Sequence, residues 1–490
     1  MSAIMHSIND CYLTLDQGGH SSRALVFDQI GNLLVSAQTP VATSTFDHNR
    51  VEQNPLELLE SLRQSAENAL SQLNPEQRRK IQSAGLATQR SSLVCWRRSN
   101  GEALSPVISW QDRRADNWIQ GFQPQHEAIH KTTGLYVSAH YGVSKMRWCL
   151  DNLKEVKQAL AEKDLVIGPL ASYLVRNLVA DGSDVADPAN ASRTLLWNLS
   201  RNEWDDDLLK LFDIPREILP ECVPSFYNFG RLNVGDQEIP LRVVTGDQSA
   251  AIFAFGTLQP DTAYINVGTG AFLSRPSGHS PIYGRRLLSS IVMHDGHEGT
   301  YVLEGTVNGA ASALDWLESE SGQNIPVEDL PGLLDDSTEP LLFLNGISGL
   351  AAPFWDADFE SRFIGDGTLA QKVGAVIESI CFLLLANLEE MKKLSSPPLQ
   401  IQITGGLSKL DGLCQRLADV ARLAVYRPAD HEATARGTAY LLAGCPQHWP
   451  EEAPGQWFKP HTNSAIEQRY VLWGEQMRKQ LRKPTQGEQR

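Results

Sequence analysis

Asp247 and the Gly268-Thr269-Gly270 turn are the groups in this chain best placed to do chemistry together. Both lie in the stretch VVTGDQSAAIFAFGTLQPDTAYINVGTGAF from Val243 to Phe272. The apolar run at Val243 predicts a strand that ends in Gly246-Asp247-Gln248, and a carboxylate at a strand end is held out into a cleft where it can accept a proton. Tyr264 to Val267 predicts another strand, which enters a turn with no side chain at two of its three positions. Backbone N–H groups can approach an anion there, and the Thr269 hydroxyl adds a donor. A base facing a phosphate across a gap is the chemistry this pair suggests. Each half also has a plainer reading, since Asp at such a place caps helices and Gly-Thr-Gly closes hairpins.

The elements that must position these groups can be read outward from them. Near the start, Tyr12 to Leu15 and Ala24 to Phe27 predict a β-hairpin around a polar, Gly-rich turn from Asp16 to Ser22. Its layout repeats that of Thr262 to Leu273, which is compatible with two similar domains sharing one ligand or with two unrelated hairpins. Asn54-Pro55 opens an amphipathic helix, with Leu58, Leu59, Leu62, Ala66, Ala69, Leu70 and Leu73 at helical spacing. AGLATQRSSLVCW, within Ile81 to Arg98, predicts a strand with Gln89 and Arg90 at its middle or end; a buried Arg there needs an ion pair or a polar ligand. The turn Ile108 to Arg114, with Trp110, raises the same question. Leu369 to Met391 is apolar on most faces and predicts a central buried helix. A strand at Ile401-Gln402-Ile403 leads into Gly405-Gly406, and a small-residue helix follows from Glu432 through Ala443. Beyond Gly444 a Pro-rich linker and then a polar helix from Glu467 to Arg490 are expected.

Composition narrows the function classes. With 490 residues, 42% hydrophobic and 21% charged, the chain has room for two domains with full cores. Its formal charge of −15 opposes a nucleic-acid backbone or an anionic membrane, so neither partner is expected. The seven Cys are odd in number and widely spaced, with no CxxC. That indicates neither a disulfide framework nor a zinc site and fits a reducing cytoplasm. MSAIMHSINDCYLTL has no basic region followed by an apolar core, and the longest apolar run, Cys381 to Ala386, is too short to span a bilayer. The 12 His are scattered, with only His20, His140 and His431 near the inferred site.

An ordered series of segments resembles the FGGY carbohydrate kinase family, in its glycerol-kinase-like branch. It comprises DQGGHSSRALVFD from Asp16, VEQNP from Val51, TQRSSLVCW from Thr88, ISWQDRR from Ile108, SKMRW from Ser144 and DPANASRTLLWNL from Asp187. WDDDLLKLFDIPREILP from Trp204, GDQSAAIFAFG from Gly246, NVGTGAF from Asn266, YVLEG from Tyr301, LAAPFWD from Leu350 and TGGLSKLDGLCQRLAD from Thr404 complete it. The resemblance implies an α/β protein of two actin-like (ribonuclease-H-like) domains around a cleft, closing on ATP and a small polyol or sugar. The expected divisions are residues 1–245 on the acceptor side, 246–445 on the nucleotide side and 446–490 as linker and tail. By the same resemblance Asp247 is the general base, and Asp16, with Asp247, holds Mg2+. Arg90, Ser91, Trp110, His140, Gln248 and Phe272 line the acceptor pocket. Gly18, Gly19, His20, Ser21, Arg23, Gly268, Thr269 and Gly270 cradle phosphates, while Ala311, Asp315, Gly405, Gly406 and Leu410 face the nucleoside.

Against the family pattern, Gly19 and His20 replace two Thr, and Ser91 and His140 stand where glycerol kinases carry Glu and Tyr. Ala311, Asp315 and Leu410 replace Gly, Gln and Asn. The expected activity is transfer of the ATP γ-phosphoryl group to glycerol, giving glycerol 3-phosphate. A xylulose- or ribulose-type kinase and a catalytically weak FGGY-like binding protein are the alternatives. A homodimer or homotetramer is the expected assembly.

Overall fold

The computed structural model describes residues 10–481 apart from 48, 338, 430–431 and 451–452. Residues 1–9 of the N-terminal stretch read above, His431, and the last stretch of the C-terminal helix expected to reach Arg490 lie outside the described residues.

Two mixed sheets organise the chain. The first runs β5-β6-β4-β1-β2-β3, formed by β1 (Cys11–Gln17), β2 (Ser21–Asp28), β3 (Leu33–Pro40), β4 (Ile81–Thr88), β5 (Phe226–Val234) and β6 (Gln237–Gly246). The second runs β9-β10-β8-β7-β11-β12-β13, formed by β7 (Thr262–Val267), β8 (Ala271–Gly278), β9 (Leu288–His294), β10 (Gly299–Val307), β11 (Gln400–Thr404), β12 (Ala424–Arg427) and β13 (Gln456–Phe458). The same unit recurs in both. β1 pairs antiparallel with β2 and parallel with β4, and β7 pairs antiparallel with β8 and parallel with β11. The two hairpins are therefore equivalent places in a repeated frame. In the first half a third, five-stranded sheet includes Arg50–Gln53, Leu93–Arg97 and Val107–Ile108.

Helices cover these sheets for reasons visible in the sequence. In α1 (Pro55–Ser71) the Asn54 side chain caps the amides of Leu56 and Glu57. Leu58 and Leu62, both fully buried, face the core, and truncating either to Ala costs about 2–5 kcal/mol. Asp247 opens α2 (Asp247–Ala251), and α3 (Ala311–Ser321) follows the second hairpin region. Next, α4 (Leu369–Lys392) is long and apolar enough to cross a bilayer by composition. It lies buried in the core, where its Glu378 takes two hydrogen bonds, of 2.7 and 2.6 Å, from Arg469. Small residues in α5 (Ala433–Leu442) let it pack against α2 and also on β1 and β4, so the second half of the chain returns a helix to the first sheet. The last helix is α6 (Ser464–Leu481).

Two expectations need correction. AGLATQRSSLVCW is not one strand: β4 ends at Thr88, and Leu93–Arg97 belongs to the third sheet, with the polar Gln89 to Ser92 as the corner. The Pro-rich stretch after Gly444 is not a loose linker either. Trp449 is buried beside Tyr440, ring centres 5.4 Å apart, and Gln456–Phe458 adds an antiparallel strand to β12.

Candidate active site

The frame puts Asp247 where β6 gives way to α2, its backbone carbonyl accepting from the Thr434 hydroxyl of α5 at 3.4 Å. A quarter of its side chain is open. The Gln248 amide donates to Oδ1 at 2.7 Å. Burial pushes the carboxyl up to about 6, against the opposing pull of Arg90 and of that amide, and nearby Asp16 adds to the rise. The group is thus ionised at neutral pH yet basic enough to take a proton.

Arg90 lies beside it, Nε 3.9 Å from Asp247 Oδ1. Its stem passes where a side chain on residue 246 would be, for a Cβ on Gly246 would sit 2.5 Å from Arg90 Cγ. Its Nη1 meets Glu304 Oε1 of β10 at 3.2 Å, and the other Glu304 oxygen is held by Arg193 and by the Ser290 hydroxyl of β9. Burial alone would raise the Glu304 carboxyl, but the two guanidiniums hold it down to about 2. The His140 ring lies 5.7 Å from that of Trp110. Burial, with Arg113, Lys145, Arg193 and Arg90 around it, drives His140 well below its ordinary value. Lys145 fixes this loop by donating to the carbonyls of Ala139 at 2.8 Å and His140 at 2.7 Å. Ser91 adopts φ 65°, and its hydroxyl is buried with no hydrogen-bond partner. Phe272 stands in β8 of the second sheet, half-buried, and lines a cavity of about 20 Å3 with Gln248, Asn266 and Thr404. That cavity ties Gln248, next to Asp247, to the residues that lead into both glycine turns of the second half.

The first turn, Gly18-Gly19-His20, is braced from below. The Gly19 carbonyl accepts from Gln53 at 2.9 Å and from the Thr43 hydroxyl at 2.8 Å, and Gln89 links the Gln17 and Gln53 side chains at 3.0 and 2.8 Å. Before the turn, Asp16 is buried. Desolvation raises its carboxyl while Arg23, bonded to it, lowers it, and Arg23 also reaches Glu432. His20 is exposed, and Ser21 starts β2. In the second turn the Gly268 carbonyl accepts from the Ala311 amide at 3.0 Å, and the Thr269 carbonyl from those of Ala310 and Ser312 at 3.0 and 3.2 Å. The turn is thereby fixed to the start of α3. Gly405, with φ 94°, passes so close to β7 that a Cβ would be 2.4 Å from the Val267 carbonyl oxygen, whereas Gly406 has open space beside it. Asp315 is exposed on α3, but Leu410 is buried in the core of the second half and offers no open side chain to a nucleoside.

Sequence matches decide the family. Models of the FGGY family of carbohydrate kinases match this chain over residues 11–254 for the N-terminal domain and 263–444 for the C-terminal domain. The chain belongs to the FGGY carbohydrate kinases. It is therefore a phosphotransferase whose acceptor is an alcohol. Among its relatives are a glycerol kinase of Shewanella frigidimarina, 32% identical over 88% of each chain, and glycerol kinase 2 of Thermotoga maritima, 31% identical over 96% of this chain and 98% of that one. In fold it resembles the glycerol kinase of Plasmodium falciparum solved with ADP, at 24% identity, TM-score 0.86 and coverage of 97% and 99%. It also resembles the xylulose kinase of Rhodospirillum rubrum, at 18% identity, TM-score 0.84 and coverage of 96% and 98%. The FGGY architecture of two actin-like units is the repeated frame described above.

Sequence reasoning gave no role to Glu304, Arg193, Lys145, Gln17 or Gln53. Glu304 had a signal, a lone acid in the apolar strand Tyr301-Val302-Leu303-Glu304, subject to the same cost of unpaired burial as Arg90. A separate cavity of about 940 Å3, bordered by Arg98, Trp204, Arg216, Leu219 and Cys222, is lined by none of the predicted site residues.

Proposed function

We propose that this kinase transfers the γ-phosphoryl group of ATP to a terminal hydroxyl of glycerol, with Asp247 as the base. The observation carrying this reading is the Asp247 carboxylate at the end of β6, partly open, ionised at neutral pH and 3.9 Å from Arg90 Nε. Arg90, Trp110, His140 and Gln248 orient the acceptor so that one hydroxyl faces Asp247. As its oxygen bonds to the γ-phosphorus, the bond to the β-phosphate oxygen breaks, the hydroxyl proton passes to Asp247 and ADP leaves. Little covalent chemistry is asked of the protein, since positioning and charge stabilisation dominate phosphoryl transfer. The two turns hold the phosphates, and open space beside Gly406 admits the nucleoside.

The donors suit Mg2+ bound with the nucleotide. No cluster of three His, Cys, Asp or Glu exists among the described residues, while Asp16 lies near enough to Asp247 to raise it. One or two carboxylates completed by water and phosphate oxygens is the set Mg2+ prefers. When bound, the ion neutralises phosphate charge; Asp16 would hold it, which leaves Asp247 free to take the proton. Glycerol is chosen because relatives at 31–32% identity are glycerol kinases. A larger polyol or a ketose is favoured by one observation: at Ser91 a short, unpartnered hydroxyl leaves the acceptor wall without a carboxylate. Free thiols at all seven Cys accord with a cytoplasmic location, and a homodimer or homotetramer completes the proposal.

Purified protein given ATP, Mg2+ and a panel of triols, tetritols and ketopentoses should release ADP fastest with glycerol; a higher kcat/KM for a ketopentose would move the assignment to the second reading. Asp247→Asn should lose about 10²–10⁴-fold in kcat while still binding ADP. Equal turnover by that variant would remove Asp247 as base.

A further inference from the structure

We propose that Glu304 is a positioning residue, one that holds the Arg90 guanidinium back from Asp247 and so keeps both the base and the acceptor ligand available. This rests on the reading of Asp247 as base and of Arg90 as an acceptor contact.

Four charged groups form a chain across the two halves of the molecule. Arg193 and the Ser290 hydroxyl, the latter at 3.1 Å, engage one Glu304 oxygen; the other takes Arg90 Nη1 at 3.2 Å, while Arg90 Nε stays 3.9 Å from Asp247. Arg90, Glu304 and Arg193 have side chains 9%, 7% and 5% exposed, whereas Asp247 is 25% exposed. Only the last of these four groups is therefore appreciably open to solvent. Two guanidiniums face two carboxylates, so the charge closes. Both Glu304 oxygens are occupied, so it can pull Arg90 without itself moving. The Arg90 stem crosses Gly246, where a Cβ would sit 2.5 Å from Arg90 Cγ, and its head reaches both carboxylates. Asp16 is a further charged neighbour, beside Asp247, and the neutral Tyr141 phenol lies beside Arg193.

If the Glu304 charge is removed, Asp247 becomes the remaining carboxylate partner of Arg90 within the chain. Attraction in a water-poor site then closes the 3.9 Å gap into a hydrogen-bonded ion pair. A carboxylate tied in such a pair is a poorer base, and the guanidinium turned toward it no longer faces the acceptor. Removing the Glu304 charge also leaves the buried Arg90 and Arg193 guanidiniums short of a counter-ion, so the change acts on stability as well as on geometry.

The test compares Glu304→Gln, Glu304→Asp and Ser290→Ala with the unaltered enzyme, measuring ADP and phosphorylated glycerol in the same assays. Glu304→Gln is expected to lose about 10²-fold in kcat/KM for the acceptor, the loss typical of an ångström-scale misplacement. The acceptor KM should rise, the ATP KM should stay unchanged, and more ADP should be released per glycerol phosphorylated. Glu304→Asp should recover part of this loss. Ser290→Ala, which keeps every charge, should lose about 5–10-fold. A fall in both products in equal proportion with both KM values unchanged, or an unaltered acceptor kcat/KM, overturns the proposal. If Glu304→Gln does not fold, as judged by ADP binding, an unchanged acceptor KM in Ser290→Ala overturns it instead. Full turnover in Asp247→Asn would fail the base reading itself; an inactive Asp247→Asn beside normal Glu304 and Ser290 variants fails only this inference.

Discussion

The two hairpins occupy the same place in a repeated frame, yet they carry different chemistry. Residue for residue, Asp16-Gln17 in the first matches Asn266-Val267 in the second, each before a three-residue turn that starts with glycine and each flanked by a parallel strand. In the first half the parallel strand β4 leads to Gln89 and Arg90, a brace and a cation. Its counterpart β11 leads to Gly405 and Gly406, which supply absence of side chain. Asp16 is a buried carboxylate bonded to Arg23, whereas Asn266 makes a neutral 3.1 Å hydrogen bond to the Thr404 hydroxyl. One frame thus serves twice, once with a buried charge at this position and once with a neutral side chain.

Exchanging the matched residues breaks this division. Asp16→Asn makes the first hairpin resemble the second and should lower kcat by about 10²–10³-fold with the acceptor KM unchanged, as expected for a group that stabilises developing charge. Steady-state kinetics over a range of Mg2+ concentrations checks it. Near-normal kcat at saturating Mg2+ would show that the carboxylate is not needed there. The glycine pair sharpens the other side. Gly405→Ala forces a Cβ to 2.4 Å from the Val267 carbonyl oxygen at a backbone φ of 94° and should cost about 2–4 kcal/mol, read as a lower midpoint in urea. Gly406→Ala meets nothing within 4 Å and should leave stability within about 0.5 kcal/mol. Its effect should be a higher ATP KM. The reciprocal swap, Asn266→Asp, places an unbridged carboxylate beside the second turn and should raise the ATP KM by about 10-fold, equivalent to about 1.4 kcal/mol. Titrating the nucleotide at fixed acceptor measures it.

How far the sequence foretold this arrangement differs between the frame and the site. Both hairpins, the Asn54-capped helix and the buried helix from Leu369 were legible because period and caps are local signals. Asp247 and the Gly-Thr-Gly turn were legible because strand ends and glycines mark themselves. What escaped was pairing at long range. Glu304 and Arg90 each carry a buried charge that must find a partner, but nothing local says that the partner lies in the other half of the chain. The corner at Gln89 to Ser92 was missed because apolar residues on both sides of it resemble one strand, although two sheets claim them. Trp449 was hidden by proline and acid neighbours that give no periodicity.

The smallest effect concerns stability rather than rate, and its sign separates a functional carboxylate from a structural one. Asp247 has its folded-state pKa raised from the ordinary 3.8 to about 6, chiefly by burial. A group raised in this way contributes stability that is fully present below pH 4 and is lost as pH rises through 6, because only the unfolded chain gives up the proton readily in that window. Paired Glu304 has the opposite sign. Its pKa is lowered from 4.5 to about 2, so its contribution is present above pH 4.5 and lost as pH falls through 2. Asp247→Asn should therefore match the unaltered protein in stability at pH 4 and exceed it by about 1–2 kcal/mol at pH 7. That range is discounted from the full two-unit shift because a quarter of the side chain is open to water. Urea unfolding at pH 4 and pH 7, without nucleotide or metal, measures the difference. A variant less stable than its parent at pH 7 would mean that the ionised carboxylate is held by favourable contacts, as a structural acid would be, rather than kept at a cost for a proton it has yet to receive.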